Sequence, residues 1–107
     1  MSDISQFDVV ANPFPRSRER QPLLVTLQSD VLARALDTIV VAPLEPKGSG
    51  TFADRLNPEV EVDGQAFVLI TQEIVTVRKN VLGASRASIA KDRDKVIAAL
   101  DLLFTGF

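Results

Sequence analysis

The side chains that most often carry out enzyme chemistry are missing from this chain. Its 107 residues contain no histidine and no cysteine, so the commonest general base, the commonest metal ligand and the thiolate nucleophile are all absent. The 14 acidic and 12 basic residues leave a net charge of −2, which argues against non-specific binding to nucleic acid. We therefore expect no metal ion and no cofactor.

The densest group of basic side chains is formed by Arg16, Arg18 and Arg20, in segment 12–22. Three prolines in this segment favour a loop, because proline lacks an N–H and restricts the residue before it. The simplest interpretation of the three arginines is that they are solvated charges on this loop.

The last six residues, LLFTGF (102–107), are apolar where chain ends are usually polar or small. Gly106 stands where a helix would stop, and Phe107 after it does not continue the same helical face. This segment either folds back into the core or contacts another molecule. We expect Leu103 to be core and Phe104 to be more open.

These residues end the clearest helical pattern, in segment 88–104. Apolar residues recur there at spacings of three, four and seven, which is typical of an amphipathic helix. Ser88 is the predicted N-cap. The apolar stripe consists of Ile89, Val96, Ile97, Leu100, Leu103 and Phe104.

About five β-strands are predicted before this helix. The strongest signal is a hairpin in 59–70, where Asp63-Gly64 suits a two-residue turn with positive φ at both positions. Pro43 indicates an edge strand or one that ends early. The other predicted strand segments are 7–11, 23–29, 38–46 and 73–83.

Segment 29–37 allows two interpretations. Ser29 could cap a short helical turn with several aliphatic side chains on one face, or the segment is an irregular connection. The aliphatic residues are Val31, Leu32, Ala35 and Leu36.

Residues 1–107 are expected to form a single domain, because the length suits one core and no linker or repeat divides it. No apolar run is long enough to cross a bilayer, and the first residues lack the pattern of a signal peptide. We expect a cytoplasmic protein without a membrane partner.

The order and spacing of four segments resemble the CcdB family of bacterial toxins over nearly the whole chain. The Gln-Ser-Asp triplet within 23–32 is characteristic of that family. The segments are LLVTLQSDVL (23–32), IVVAPLEP (39–46), RLNPEVEVDGQAFVLITQEIVTV (55–77) and VLGASRASIAKDRDKVIAALDLLFTGF (81–107).

The resemblance implies a mostly β fold, an SH3-like small barrel of about five antiparallel strands followed by one C-terminal α-helix. It implies a homodimer that is not an enzyme. Such a toxin binds the A subunit of DNA gyrase and traps the enzyme on cleaved DNA. A CcdA-like antitoxin neutralises it through a disordered C-terminal segment and joins it in transcription autoregulation. No direct nucleic-acid binding is expected without the antitoxin.

The resemblance also places the gyrase-binding site at the end of the helix. The best-known family pattern ends Trp-Gly-Ile, where this chain has Thr105, Gly106 and Phe107. Threonine cannot stack as tryptophan does, so Phe107 is the expected aromatic anchor. The remaining residues assigned to this site are Phe104, Asp101, Val31 and Leu32.

Two alternatives remain open. Toxins that cleave messenger RNA share this fold, and without histidine an arginine beside Thr71 or Glu73 would have to serve. The second alternative is an inactive or retargeted homologue that still binds an antitoxin.

Overall fold

The computed structural model describes residues 4–106, in which seven strands form one antiparallel sheet. The sheet is nearly closed into a barrel, and a C-terminal helix follows it, which confirms the predicted fold class. The strands are β1 (Asp8–Ala11), β2 (Leu23–Thr26), β3 (Thr38–Pro46), β4 (Glu59–Val62), β5 (Gln65–Leu69), β6 (Val75–Arg78) and β7 (Ala87–Ser88).

The nine-residue strand β3 is the centre of the sheet. Along one side it pairs with β2, from Leu44 opposite Leu23 to Val41 opposite Thr26. Along its other side it pairs with two strands in turn, first β6 and then β5. A single strand therefore joins both halves of the barrel.

Pro43 lies inside this central strand, so the prediction of an edge strand or an early end is wrong. Strand β6 pairs with Thr38–Val41 and β5 with Leu44–Pro46, which leaves Pro43 between them. Its carbonyl accepts a hydrogen bond from the N–H of Ile70 at 2.9 Å. Because the N and O atoms of one residue point to the same side of a strand, the missing N–H faces the gap between β5 and β6.

The hairpin between β4 and β5 has the predicted turn. Asp63 has φ 51° and Gly64 has φ 81°, so both central residues are in the left-handed region. Val62 pairs with Gln65 directly beside the turn. Aspartate tolerates this conformation and glycine adopts it without steric cost.

Two helices cover the two faces of β1 and β2. Successive strand residues point to opposite faces, and Val9 and Val10 accordingly belong to different core clusters. The Val9 cluster includes Val96 of α2 (Arg93–Thr105), and the Val10 cluster includes Ala33 of α1 (Asp30–Ala35). Of the two interpretations of segment 29–37, the short helix is the one observed.

Helix α2 begins at Arg93 rather than at Ser88. Ser88 is in β7 opposite Asp8, and the N–H of Ile89 donates to the carbonyl of Phe7 at 2.9 Å. A 3₁₀ turn, Ala90–Asp92, then leads into the helix. The side-chain oxygen of Ser88 accepts from the N–H of Ala90 at 3.1 Å, so this serine stabilises the turn and does not cap α2.

The core contact of α2 ends before the helix does. Its buried residues are Val96 and Ala99. Val96 belongs to the Val9 cluster, and the partly buried Ile97 and Leu100 pack against that cluster. Leu103 is only half-buried and lies outside both clusters. The expectation that Leu103 belongs to the core is therefore wrong.

Alanine substitutions in α2 should separate these two kinds of position. Val96→Ala should lower the free energy of unfolding by about 1.5–3 kcal/mol, because it removes fully buried methyl groups. Leu103→Ala should cost less than about 1 kcal/mol, because its side chain is already partly in water. Urea denaturation at one fixed protein concentration measures both. An equal loss for the two variants would place the last turn of α2 in the core.

Candidate functional site

The last turn of α2 presents its side chains to solvent. Phe104 is 69% exposed, and Asp101 and Thr105 are exposed beside it. Leu102 and Leu103 are half-buried in the same turn. A large aromatic ring exposed to solvent is a recurrent feature of protein-binding surfaces.

Gly106 ends α2 as its position in the sequence predicts. Its φ is 81°, and its N–H donates to the carbonyl of Leu102 at 3.1 Å. A Cβ atom at Gly106 would meet no other atom within 4 Å. The glycine is therefore required for its left-handed conformation and not for space.

Thr105 uses its hydroxyl within its own helix. Its Oγ1 donates to the carbonyl of Asp101 at 2.6 Å, which leaves only the methyl group for an apolar contact. Phe104 is the aromatic side chain in the described part of this turn. The assignment of Phe107 to the site falls outside the described residues.

The Gln-Ser-Asp triplet builds a second exposed feature, helix α1. The Gln28 side-chain amide bonds the backbone of β3 as a neighbouring strand would. Its Nε2 donates to the carbonyl of Thr38 at 3.2 Å, and its Oε1 accepts from the N–H of Val40 at 3.3 Å. Ser29 caps the helix, and Asp30 Oδ1 accepts from the N–H of Gln6 at 2.7 Å. All three side chains thus fix the position of α1.

This fixed helix turns its aliphatic residues outward. Val31 is 75% exposed, Leu32 50% and Leu36 44%, whereas Ala33 alone is buried. A surface helix usually buries its aliphatic stripe. Three hydrogen-bonding side chains are therefore used to hold an apolar surface in water.

Val31 and Leu32 lie on a different helix from the other residues assigned to the site. The buried residues of the two helices belong to different clusters, on opposite faces of β1 and β2. The two parts of the sequence-assigned site are called the α1 patch (Val31, Leu32) and the α2 tip (Asp101, Phe104, Thr105, Gly106).

The arginine loop, segment 12–22, holds its three arginines in different surroundings. Arg16 and Arg18 are exposed, but the Nε of Arg20 lies 3.4 Å from Glu45 Oε2, and its Nη2 lies 3.9 Å from Glu73 Oε2. The buried Gln21 donates from Nε2 to both carboxylates, at 2.7 and 2.9 Å. The sequence pointed to Arg20 and Glu73 but not to Glu45 and Gln21. Glu45 lies in an apolar strand and Gln21 stands beside a proline, so neither was a candidate for the site.

This cluster is poorly suited to phosphate. One guanidinium faces two carboxylates, so the group carries excess negative charge, which repels a nucleic-acid backbone. Thr71, the other candidate, is fully buried, and its hydroxyl donates to the carbonyl of Leu56 at 2.6 Å. The arrangement therefore favours a structural role, which ties the loop to β3 and to the turn before β6.

The described residues show little other electrostatic specialisation. Glu59 raises the pKa of Lys47, first by its hydrogen bond and then by its charge, across 2.8 Å. This pair joins the end of β3 to β4. Within residues 4–106 no three acidic side chains converge into a group that could hold a metal ion.

The fold defines a class of small antiparallel barrels that end in one helix. A solved structure described as the crystal structure of an Mtb toxin is similar to the chain, with a TM-score of 0.65 and 19% identity, over 78% of this chain and 92% of that chain. No curated protein sequence matches the chain.

A family model described as CcdB protein matches residues 6–106. The chain therefore belongs to the CcdB family and is a toxin of a toxin–antitoxin module. In the part of the chain that the structure describes, no helix is both long and apolar enough to cross a membrane.

Proposed function

We propose that this protein binds the A subunit of DNA gyrase, traps the gyrase–DNA cleavage complex, and is neutralised by a CcdA-like antitoxin. The observation that carries the proposal is the exposed α2 tip, at the helix end that resembles the family's gyrase-binding site. The core contacts of α2 stop at Leu100, so the tip is available to another protein. Both partners act in the cytoplasm, which is the location we propose.

Phe104 and Phe107 are the proposed anchors of this contact. Phe104 is 69% exposed, and full burial of one such ring contributes about 1.5–3 kcal/mol. Phe107 takes the position of the family's terminal isoleucine, and Gly106 lets the backbone approach the target closely. Asp101 and Thr105 would lie at the polar edge of this contact, where charges contribute little to affinity.

The α1 patch is the proposed second contact. Val31 and Leu32 are held outward by the Gln-Ser-Asp triplet, although their exposure costs hydrophobic stabilisation. A target contact recovers that free energy. Because the patch lies on the other face of β1 and β2 from α2, we propose that the target contacts the two patches separately.

A homodimer is proposed through strand β6. Within the described residues β6 pairs only with β3, and Val75 on it is 50% exposed. Phe14, Val77 and Val81 line an apolar groove of about 470 Å³ with it. An exposed apolar edge strand that stays soluble needs a covering partner.

The apolar residues of β6 suit a second copy of the chain. Antiparallel pairing of β6 with itself about Thr76 sets Val75 of one chain opposite Val77 of the other, because each is one residue from the centre. A twofold dimer would also present two α2 tips, which matches the twofold symmetry of the A-subunit dimer of gyrase.

A binding function is proposed in place of catalysis. The chain has no histidine or cysteine, and the Arg20 cluster carries excess negative charge. The proximity of Arg20 to Glu73 is the observation that keeps a ribonuclease as the second candidate. A homologue that binds only an antitoxin is the third candidate. We propose that DNA binding and transcription autoregulation require the antitoxin.

Changes at the α2 tip should abolish gyrase poisoning without unfolding the protein. Phe104→Ala, or deletion of residues 105–107, should remove linear, protein-bound plasmid from a reaction with gyrase and DNA, because the apolar anchors are lost. The melting temperature should change little. Phe52→Ala, at a half-buried phenylalanine in the loop between β3 and β4, is the control and should keep the activity.

The same reactions distinguish the other candidates. RNA added to them should stay intact. RNA cleavage by the purified protein, lost in Arg20→Ala, would make the protein a ribonuclease. Full gyrase poisoning by the tip variants would contradict the assignment of the site, and no poisoning by the unchanged protein would favour the third candidate.

The dimer proposal predicts a change of mass on substitution in the β6 groove. The unchanged protein should scatter light as a dimer at micromolar concentration. Val75→Asp should scatter as a monomer, because a carboxylate would be buried without a partner. Ala84→Asp, which adds the same charge at another exposed position, should remain dimeric. A monomeric unchanged protein, or a dimeric Val75→Asp variant, would refute this interface.

A further inference from the structure

A cleft of about 710 Å³ separates α1 from the end of β6 and from the N-terminal segment. Its size is that of a site for a small molecule or a short peptide segment. Ala33 and Ile39 are buried at its base and Ile4 is half-buried beside them. The base of the cleft is therefore apolar.

The rim of the cleft is charged. Three cations and two anions line it: Arg34, Arg78, Lys79, Asp30 and Asp37. Two of these groups are already bound within the protein. Asp30 accepts from the N–H of Gln6, and Lys79 donates to the carbonyl of Ala33 near the C-terminal end of α1.

The remaining rim groups favour an anionic ligand. Within the described residues Arg34 and Arg78 have no carboxylate oxygen within 4.0 Å, and Asp37 has no cation within that distance. Among the described residues, two guanidinium groups without a carboxylate partner thus face one carboxylate without a cationic partner. Guanidinium binds carboxylate through two parallel hydrogen bonds, which gives geometric selectivity as well as affinity.

We infer that this cleft binds an acidic peptide segment in which carboxylate and aliphatic side chains alternate. We assign this segment to the antitoxin, and that assignment rests on the proposed function. The carboxylates pair with Arg34 and Arg78, and the aliphatic side chains cover Ala33 and Ile39. Asn80 and Ser5 line the same cleft, and an amide and a hydroxyl are groups that bond a peptide backbone.

The position of the cleft links neutralisation to the target patch. Arg34 and Ala33 face the cleft, whereas Val31 and Leu32 of the same short helix face solvent. A peptide in the cleft would therefore contact the helix that carries the α1 patch. Arg78 also lines the β6 groove and Arg34 does not, so the effect of Arg34 on peptide binding is the one separable from dimerisation.

The test is fluorescence anisotropy with two labelled, amidated peptides. In one, leucine alternates with glutamate, and in the other leucine alternates with glutamine. The glutamate peptide should bind, more weakly as salt rises. Arg34→Gln and Arg78→Gln should each weaken binding roughly tenfold through loss of a charge-assisted pair. Arg86→Gln, an exposed arginine outside the cleft, should bind as the unchanged protein does.

Four results would overturn the inference. These are no binding of the glutamate peptide, equal binding of both peptides, unchanged binding by the Arg34 and Arg78 variants at an unchanged melting temperature, and complete displacement of the peptide by equimolar inorganic phosphate. The last result would identify a site for free anions. Peptide binding without gyrase poisoning would instead remove the proposed target and leave the cleft assignment intact.

Discussion

The pairing of β3 with three strands is the constraint on which the rest of the structure depends. One side of β3 is bonded to β2, and the other side is divided between β6 and β5. Pro43 fits at the division, where no partner strand requires its N–H. Strand β3 pairs with β2, and both faces of the sheet near β1 and β2 are covered. One face carries α2 and the other carries α1.

This arrangement separates stability from binding. Val96 in the first turn of α2 belongs to a core cluster and Ala99 is also buried, and the helix then continues past the core. On the other face, Ala33 anchors α1 while Val31 and Leu32 remain in water. Both helices therefore use one part for folding and leave another part exposed to solvent. This division is expected of a protein that acts by binding, because the contact residues can vary without loss of the fold.

The local features were predictable and the long-range ones were not. The turn at Asp63-Gly64 and the helix end at Gly106 depend on backbone preferences of single residues, and both were confirmed. Segment 88–92 matched a helical period, yet Ser88 pairs with β1 and the N–H of Ile89 bonds the carbonyl of Phe7. Leu103 continued the apolar stripe, but the barrel ends before it. The Arg20, Gln21 and Glu45 contacts join residues far apart in sequence, so no local pattern could indicate them.

The central claim is that the target is recognised by the exposed helix end and not by the arginine loop. It is tested most directly by the NMR amide spectrum of the protein during titration with the A subunit of gyrase. The account predicts that resonance changes concentrate in residues 101–107 and at Val31 and Leu32, while those of Arg20 and Glu45 stay unchanged. Changes concentrated in segment 12–22 and at Glu73, with an unaffected helix end, would contradict it.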